Sequence, residues 1–242
     1  MKLLLIRHGE PDYETDSLTE AGQREAKCLA ERIAPLPVRA YYVSPLGRAR
    51  QTAAATLERA GRDAEVLDWL REFDVPTARP DREGLSPIPW DWLPQDWLKD
   101  PRFLQPEAWR DNEIFRQAGV GEAYDKVTAA FDALLAGHGY EREGLYYRVK
   151  EPNTDTLVFF CHLGVSCVLM SHLFNCSPMQ LWQNLAMAPS SVTTLVTEER
   201  RAGIAIFRAS AIGDVSHLYA KGLGPSFAAR FCEVHGDGSR ED

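Results

Sequence analysis

At 242 residues, with 45% apolar residues and a formal net charge of −8, the chain has material for a sizeable core and the wrong charge balance for a general nucleic-acid binder. Its cysteines, Cys28, Cys161, Cys167, Cys176 and Cys232, are odd in number and hold no CxxC pair, which fits reduced thiols in the cytoplasm better than a disulfide framework or a zinc site. No apolar run approaches the length of a membrane span or a signal peptide, so neither a membrane partner nor export is expected.

Taken in order, Leu3, Leu4, Leu5 and Ile6 form an unbroken apolar run, the pattern of a strand buried on both faces. Arg7 and His8 follow at once, so they emerge at the strand's carboxyl end, the edge where parallel sheets bind ligands. Residues 11–17 read as a polar loop. Thr19 is the expected N-cap of a helix with Glu20 in its first turn, and Ala26, Leu29, Ala30 and Ile33 lie at helical spacing until Pro35 and Pro37 stop it. Residues 38–43 read as a second strand. Ser44 and Pro45 then predict the N-cap and first position of a second helix, with Leu46, Ala49, Ala53 and Leu57 on one face, Arg48 in the first turn and Gly61 as the stop. A third strand over residues 64–67 leads towards Glu72.

From residue 73 to 106 the texture changes to one dense in proline, with Trp90, Trp92 and Trp97 interspersed. This is too apolar and aromatic for a disordered linker, and long ordered loops in compact domains usually serve function. With a helix expected over 108–117, it reads as a cap insertion, residues 73–117, on a single domain spanning 1–242. A helix over 122–136, a hairpin over 139–149 about Glu143 and Gly144, and a second buried strand over 156–161 follow, with His162 at that strand's carboxyl end. Then come an apolar helix over 164–174, a short helix opened by Pro178, and paired strands over 191–197 and 203–209. The tail from Ala211 reads as irregular. Strands alternating with helices predict an α/β fold: a mostly parallel central sheet with one antiparallel edge and helices on both faces.

In such a sheet the strand ends converge. Arg7, His8, Arg48, Glu72 and His162 would then form an anion site with a built-in acid. Arginine offers phosphate a planar fork of donors. An unprotonated imidazole is a nucleophile, and a carboxylic acid can protonate a leaving oxygen. Each residue also has a plainer reading: a structural histidine, an exposed helix arginine such as Arg50, a solvated loop acid. His138, His172, His217 and His235 read as bystanders, with His217 the one to locate relative to the site. The tryptophans 90, 92 and 97 read equally as packing or, for Trp90 and Trp92, as lining of a substrate pocket.

Five motifs occur in order: Arg7, His8, Gly9 and Glu10; Leu18, Thr19, Glu20 and Gly22; Ser44, Pro45, Leu46, Arg48, Ala49, Thr52 and Ala53; Leu70 and Glu72; and His162. Together they resemble the histidine phosphatase superfamily, in its phosphoglycerate mutase-like branch, over about residues 2–210. The resemblance implies a phosphoglycerate mutase-like fold, a small phosphorylated substrate, and catalysis with no metal and no cofactor. It makes His8 the nucleophile that becomes phosphohistidine, has Arg7, Arg48 and His162 bind the phosphoryl group beside it, and makes Glu72 the proton donor, with Glu83 as the alternative acid. Many members of the family carry Gly directly after the second histidine, whereas here Leu163 separates His162 from Gly164, which bears on the backbone near His162. The chain also departs from the mutases: its loop to Leu18 is short, and Glu14 stands where they carry Asn. That departure favours a phosphatase-type member. A phosphoglycerate mutase-type phosphotransferase and a catalytically weakened phosphate-binding scaffold remain as alternatives, and a homo-oligomer stays open.

Overall fold

The computed structural model describes residues 1–228 and 230–241. Its centre is the apolar run at the N-terminus, which forms strand β1 (Lys2–Arg7) of an eight-stranded sheet. The other strands are β2 (Val38–Val43), β3 (Glu65–Val66), β4 (Tyr140–Glu143), β5 (Tyr146–Val149), β6 (Thr156–Cys161), β7 (Val192–Arg201) and β8 (Ile204–Asp214). Across the sheet they run β3–β2–β6–β1–β7–β8–β5–β4. β1 pairs in parallel with β6, β6 with β2 and β2 with β3, so Arg7 lies opposite Cys161 and the ends of β1 and β6 are level. β7 pairs antiparallel with β1, placing Thr193 opposite Leu5. The hairpin β4–β5 joins the sheet through β8, where Ala205 faces Tyr147, so the antiparallel side is four strands wide.

The main helices are α1 (Glu20–Ile33), α2 (Gly47–Ala60), α3 (Val120–Gly137), α4 (Leu163–Phe174) and α5 (Pro178–Asn184). Because strand side chains alternate, β1 serves two cores. Leu4 and Ile6 pack with Leu29 and Ile33 of α1 and Ala53 of α2. Leu3 and Leu5 belong to the opposite cluster, with Phe131 and Leu135 of α3 and Val165 and Leu169 of α4. Helices thus cover both faces, which is why the run is apolar without alternation. The Pro/Trp-rich segment joins this second cluster. Trp92 meets Phe103 edge-on at 5.4 Å and Phe115 at 5.8 Å, and Trp109 meets Tyr124 at 5.1 Å. Among the described residues, no helix is long and apolar enough to cross a membrane.

Thr19 caps α1 as its sequence suggests, accepting the Gly22 N–H at 3.0 Å. Three local expectations are corrected. α2 begins at Gly47 with Leu46 as N-cap, and the Ser44 hydroxyl is occupied elsewhere. The helix expected over 108–117 is split at Asn112, whose Oδ1 accepts the N–H groups of Ile114 and Phe115 and so starts a new helix, Glu113–Ala118, after a 3₁₀ turn. The tail does not become irregular at Ala211. β8 continues to Asp214, with Ala211 opposite Thr194 and Asp214 opposite Val192. Register shifts on both sides of Thr194 break the two-residue period there and hide the strand from pattern reading.

Candidate active site

The site begins with how the backbone after β1 is held. The N–H of Arg7 donates to Ser191 O at 3.1 Å, that of His8 to Cys161 O at 3.0 Å, and that of Gly9 to Thr52 Oγ1 at 2.9 Å. The His8 carbonyl accepts from Ser190 N–H at 2.9 Å. The segment is therefore tied to β6, α2 and the start of β7, and its side chains have little choice of direction.

His8 is buried, and its Nδ1 lies 2.7 Å from Gly9 O. That contact assigns the proton to Nδ1. Nε2 is left as an unprotonated lone pair, with no hydrogen bond among the described residues. Burial holds the imidazole pKa well below its usual value, and the charges of Arg7 and Arg48 lower it further against the Gly9 carbonyl. His162 follows β6 directly and is the N-cap of α4; its ring centre is 5.1 Å from that of His8. Its Nε2 is 2.7 Å from Ser44 Oγ, and its Nδ1 is buried without a partner. Burial, then His8 and Arg48, keep this imidazole well below its usual pKa too.

Two guanidinium groups complete the cradle. Arg7 is buried, and its Nη1 donates to Met187 O at 2.6 Å. Arg48 pairs through Nη1 with Asp16 Oδ1 at 2.5 Å. The Nε atoms of both arginines are buried and unpartnered. Buried nitrogens of Arg7, Arg48 and His162, whose charges or ring act on His8, thus lack protein partners. Buried polar atoms rarely stay unpaired, and an oxyanion would satisfy all three.

Glu72, just beyond the 3₁₀ turn Asp68–Leu70 that follows β3, reaches the same place. Its Oε1 accepts the N–H of Phe73 at 2.8 Å and of Val165 at 3.1 Å, so it sits on the N-terminus of α4 beside His162. Burial raises its pKa, outweighing those amides and Arg7. A Cβ at Gly164 would fall 2.0 Å from Trp90 Cη2 and 2.6 Å from Glu72 Oε1. Only glycine there lets both groups approach the helix end.

The family model of the histidine phosphatase superfamily (branch 1) matches residues 3–209. The chain belongs to the histidine phosphatase superfamily. A probable phosphatase of Schizosaccharomyces pombe is 37% identical over 244 residues, covering 94% of this chain and 100% of the relative. A probable phosphoglycerate mutase of Enterobacter is 27% identical over 156 residues, 57% of this chain and 70% of the relative. Among solved structures, the Entamoeba histolytica phosphoserine phosphatase with 3-phosphoglyceric acid superposes with TM-score 0.58 at 19% identity, covering 90% of this chain and 98% of that one. The mycobacterial glucosyl-3-phosphoglycerate phosphatase with VO3 superposes with TM-score 0.56 at 23% identity, covering 88% and 98%. These likenesses show that the phosphoglycerate mutase-like fold is shared.

The structure of this superfamily member brings Arg7, His8, Arg48, Glu72 and His162 to one edge of the sheet. Glu83 lies exposed in the turn between the short strands Thr77–Ala78 and Leu85–Ser86. Trp90 abuts Gly164 beside Glu72 and stacks on Trp182 at 5.2 Å, whereas Trp92 is buried among Phe103 and Phe115. His217 is buried 3.2 Å from Ser190 Oγ, one residue removed from the His8 carbonyl. Sequence reading missed Tyr13, which is 63% exposed, places its ring 5.4 Å from the Arg48 guanidinium and meets the His8 ring edge-on at 6.5 Å. It also missed Asp16, and it took Ser44 for a helix cap. No periodicity marks the first two, because they lie on a turn. Glu25 was missed as well: it is a buried acid on α1 whose Oε2 accepts the Glu10 N–H at 2.8 Å.

Proposed function

We propose that this protein is a metal-independent phosphomonoester hydrolase acting through a phosphohistidine at His8. The observation that carries the reading is the neutral imidazole of His8 with a free Nε2, together with the unpartnered nitrogens of Arg7, Arg48 and His162. In the first step Nε2 attacks phosphorus and the P–O bond to the leaving group breaks. Glu72, its pKa raised by burial, gives its proton to the departing oxygen. In the second step the Glu72 carboxylate takes a proton from water as that water attacks phosphorus. The P–N bond breaks, releasing inorganic phosphate and restoring His8. Arg7 and Arg48 neutralise the charge of the transferring group throughout, and His162 offers it a hydrogen bond.

The alternative of a mutase would return the phosphoryl group to a second substrate oxygen. The full-length likeness to a probable phosphatase and the short loop after Glu10 support hydrolysis instead. The substrate is a small phosphorylated molecule whose leaving group meets Trp90, which shares the helix end at Gly164 with the acid. In this reading residues 73–117 form the cap that selects it. Cytoplasmic residence belongs to the same reading, supported by five free thiols.

The test is a screen of phosphomonoesters in the presence of EDTA with wild type and His8→Ala. Wild type is expected to release phosphate and to yield an acid-labile phosphoenzyme, and His8→Ala neither. Equal activity in the two proteins sinks the mechanism, and rearranged phosphoglycerate with little free phosphate makes the protein a mutase.

A further inference from the structure

The turn between the short strands Pro11–Asp12 and Ser17–Leu18 is built tightly around one side chain of the site. Asp12 closes the turn by accepting the Glu14 N–H at 3.0 Å and the Thr15 hydroxyl at 2.8 Å. Asp16, the last residue of the turn, sits at φ +50°, in the left-handed region that non-glycine residues seldom occupy. Held there, it uses both carboxylate oxygens. Oδ2 accepts the Gly47 N–H at 2.6 Å, and Oδ1 accepts from Arg48 Nη1 at 2.5 Å. The fit requires glycine at 47, because a Cβ there would lie 2.2 Å from Asp16 O. From the other side Tyr13 of the same turn places its ring 5.4 Å from the Arg48 guanidinium.

A guanidinium has two edges that can grip an oxyanion with paired N–H groups: the end-on edge, Nη1 with Nη2, and the side-on edge, Nε with Nη2. Asp16 already engages Nη1, one of the two nitrogens of the end-on edge. The side-on edge is left intact, and its Nε is the atom that is buried and unpartnered. The Arg48 side chain is only 12% exposed, so the guanidinium has little room to choose another orientation.

We propose that Asp16 is a positioning residue for Arg48: the turn carrying it rotates the guanidinium so that its Nε/Nη2 edge faces the transferring phosphoryl group. The inference rests on the phosphatase reading of the site and adds to it the element that orients one of its arginines. Asp16 does not touch the substrate. It acts through Arg48, and Tyr13 supports the same pose.

The experiment is a double-mutant cycle read by titration calorimetry with inorganic phosphate and by kcat and KM on an aryl phosphate. Asp16→Asn keeps an acceptor for the Gly47 N–H while removing the charged hold on Arg48; Asp16→Ala removes both. Both variants are expected to weaken phosphate binding roughly 10- to 100-fold, the scale of a group displaced by about an ångström. In an Arg48→Ala background Asp16→Asn is expected to cost nothing further. An Asp16→Asn variant that binds phosphate like wild type overturns the proposal. So does a loss that persists undiminished in the Arg48→Ala background, which would assign Asp16 to the start of α2 alone. If the cycle behaves as expected but wild type turns over no phosphomonoester, the positioning role stands and the phosphatase reading falls.

Discussion

Replacing Glu72 by Gln tests the assignment of the acid with little disturbance to the fold. The N–H groups of Phe73 and Val165 go to one Glu72 oxygen, Oε1, at 2.8 and 3.1 Å, and the Gly164 N–H also favours the carboxylate. A glutamine with its amide oxygen in that position keeps both bonds and nearly the same volume. What it loses is the transferable proton. General acid catalysis contributes about 10²–10⁴-fold, equivalent to ~2.7–5.4 kcal/mol of barrier. That loss should appear in kcat/KM for an alkyl phosphate, whose leaving oxygen must be protonated. It should shrink to less than about tenfold for p-nitrophenyl phosphate, whose leaving group departs as the anion. The assay is steady-state kinetics on both substrates, with a stopped-flow search for a nitrophenol burst in the variant. A burst is expected, because water's attack on phosphohistidine still lacks its base. Equal losses on the two substrates, or an alkyl kcat/KM within threefold of wild type, would refute the role given to Glu72.

Trp90→Ala is expected to change kcat/KM on the physiological substrate with little change in Tm, whereas Trp92→Ala, which empties a ring packed between Phe103 and Phe115, should cost about 3–5 kcal/mol of stability by urea unfolding. The opposite pattern would exchange their roles. Burial pushes the Glu25 carboxyl up to about 7, from an ordinary 4.5. The folded state thus keeps a proton that the unfolded chain releases, so this stabilisation is full below about pH 4.5 and is lost as pH rises through 7, at most roughly 3 kcal/mol. Urea unfolding of wild type and Glu25→Gln at pH 5 and pH 8 should show wild type losing ground to the variant at the higher pH, and a constant gap would contradict it.

The residues most legible in the sequence were those at the ends of buried strands. Leu3 to Ile6 and the run before His162 declare both the strand and the edge where its last side chains emerge, because a strand buried on two faces has no polar position until it ends. Thr19 was legible because its cap chemistry is local. Ser44 misled for the same reason: its sequence context is that of a cap, and only the fold brings it 2.7 Å from His162, 118 positions away. Asp16 and Tyr13 carry no signal in spacing, since a turn has no period. Trp90 and Trp92 are two residues apart and alike in sequence, yet one abuts the acid and the other fills a core. β8 beyond Ala209 was lost because its bulges shift the alternation on which reading a strand depends.

The place of β1 in the sheet has a consequence for how the protein is made. Its neighbours on either side are β6 and β7, whose residues lie more than 150 positions further along the chain. Of the strands in this sheet, β1 leaves the ribosome first and is therefore among the last to find its neighbours. At about 5–20 residues per second, the run Leu3 to Ile6 waits roughly 10–40 s for β7 to be synthesised. Throughout that time it is a bare apolar segment of strong β character, the kind that other chains capture. The two residues on which the proposed chemistry turns, Arg7 and His8, sit at the end of the segment that most needs protection during synthesis.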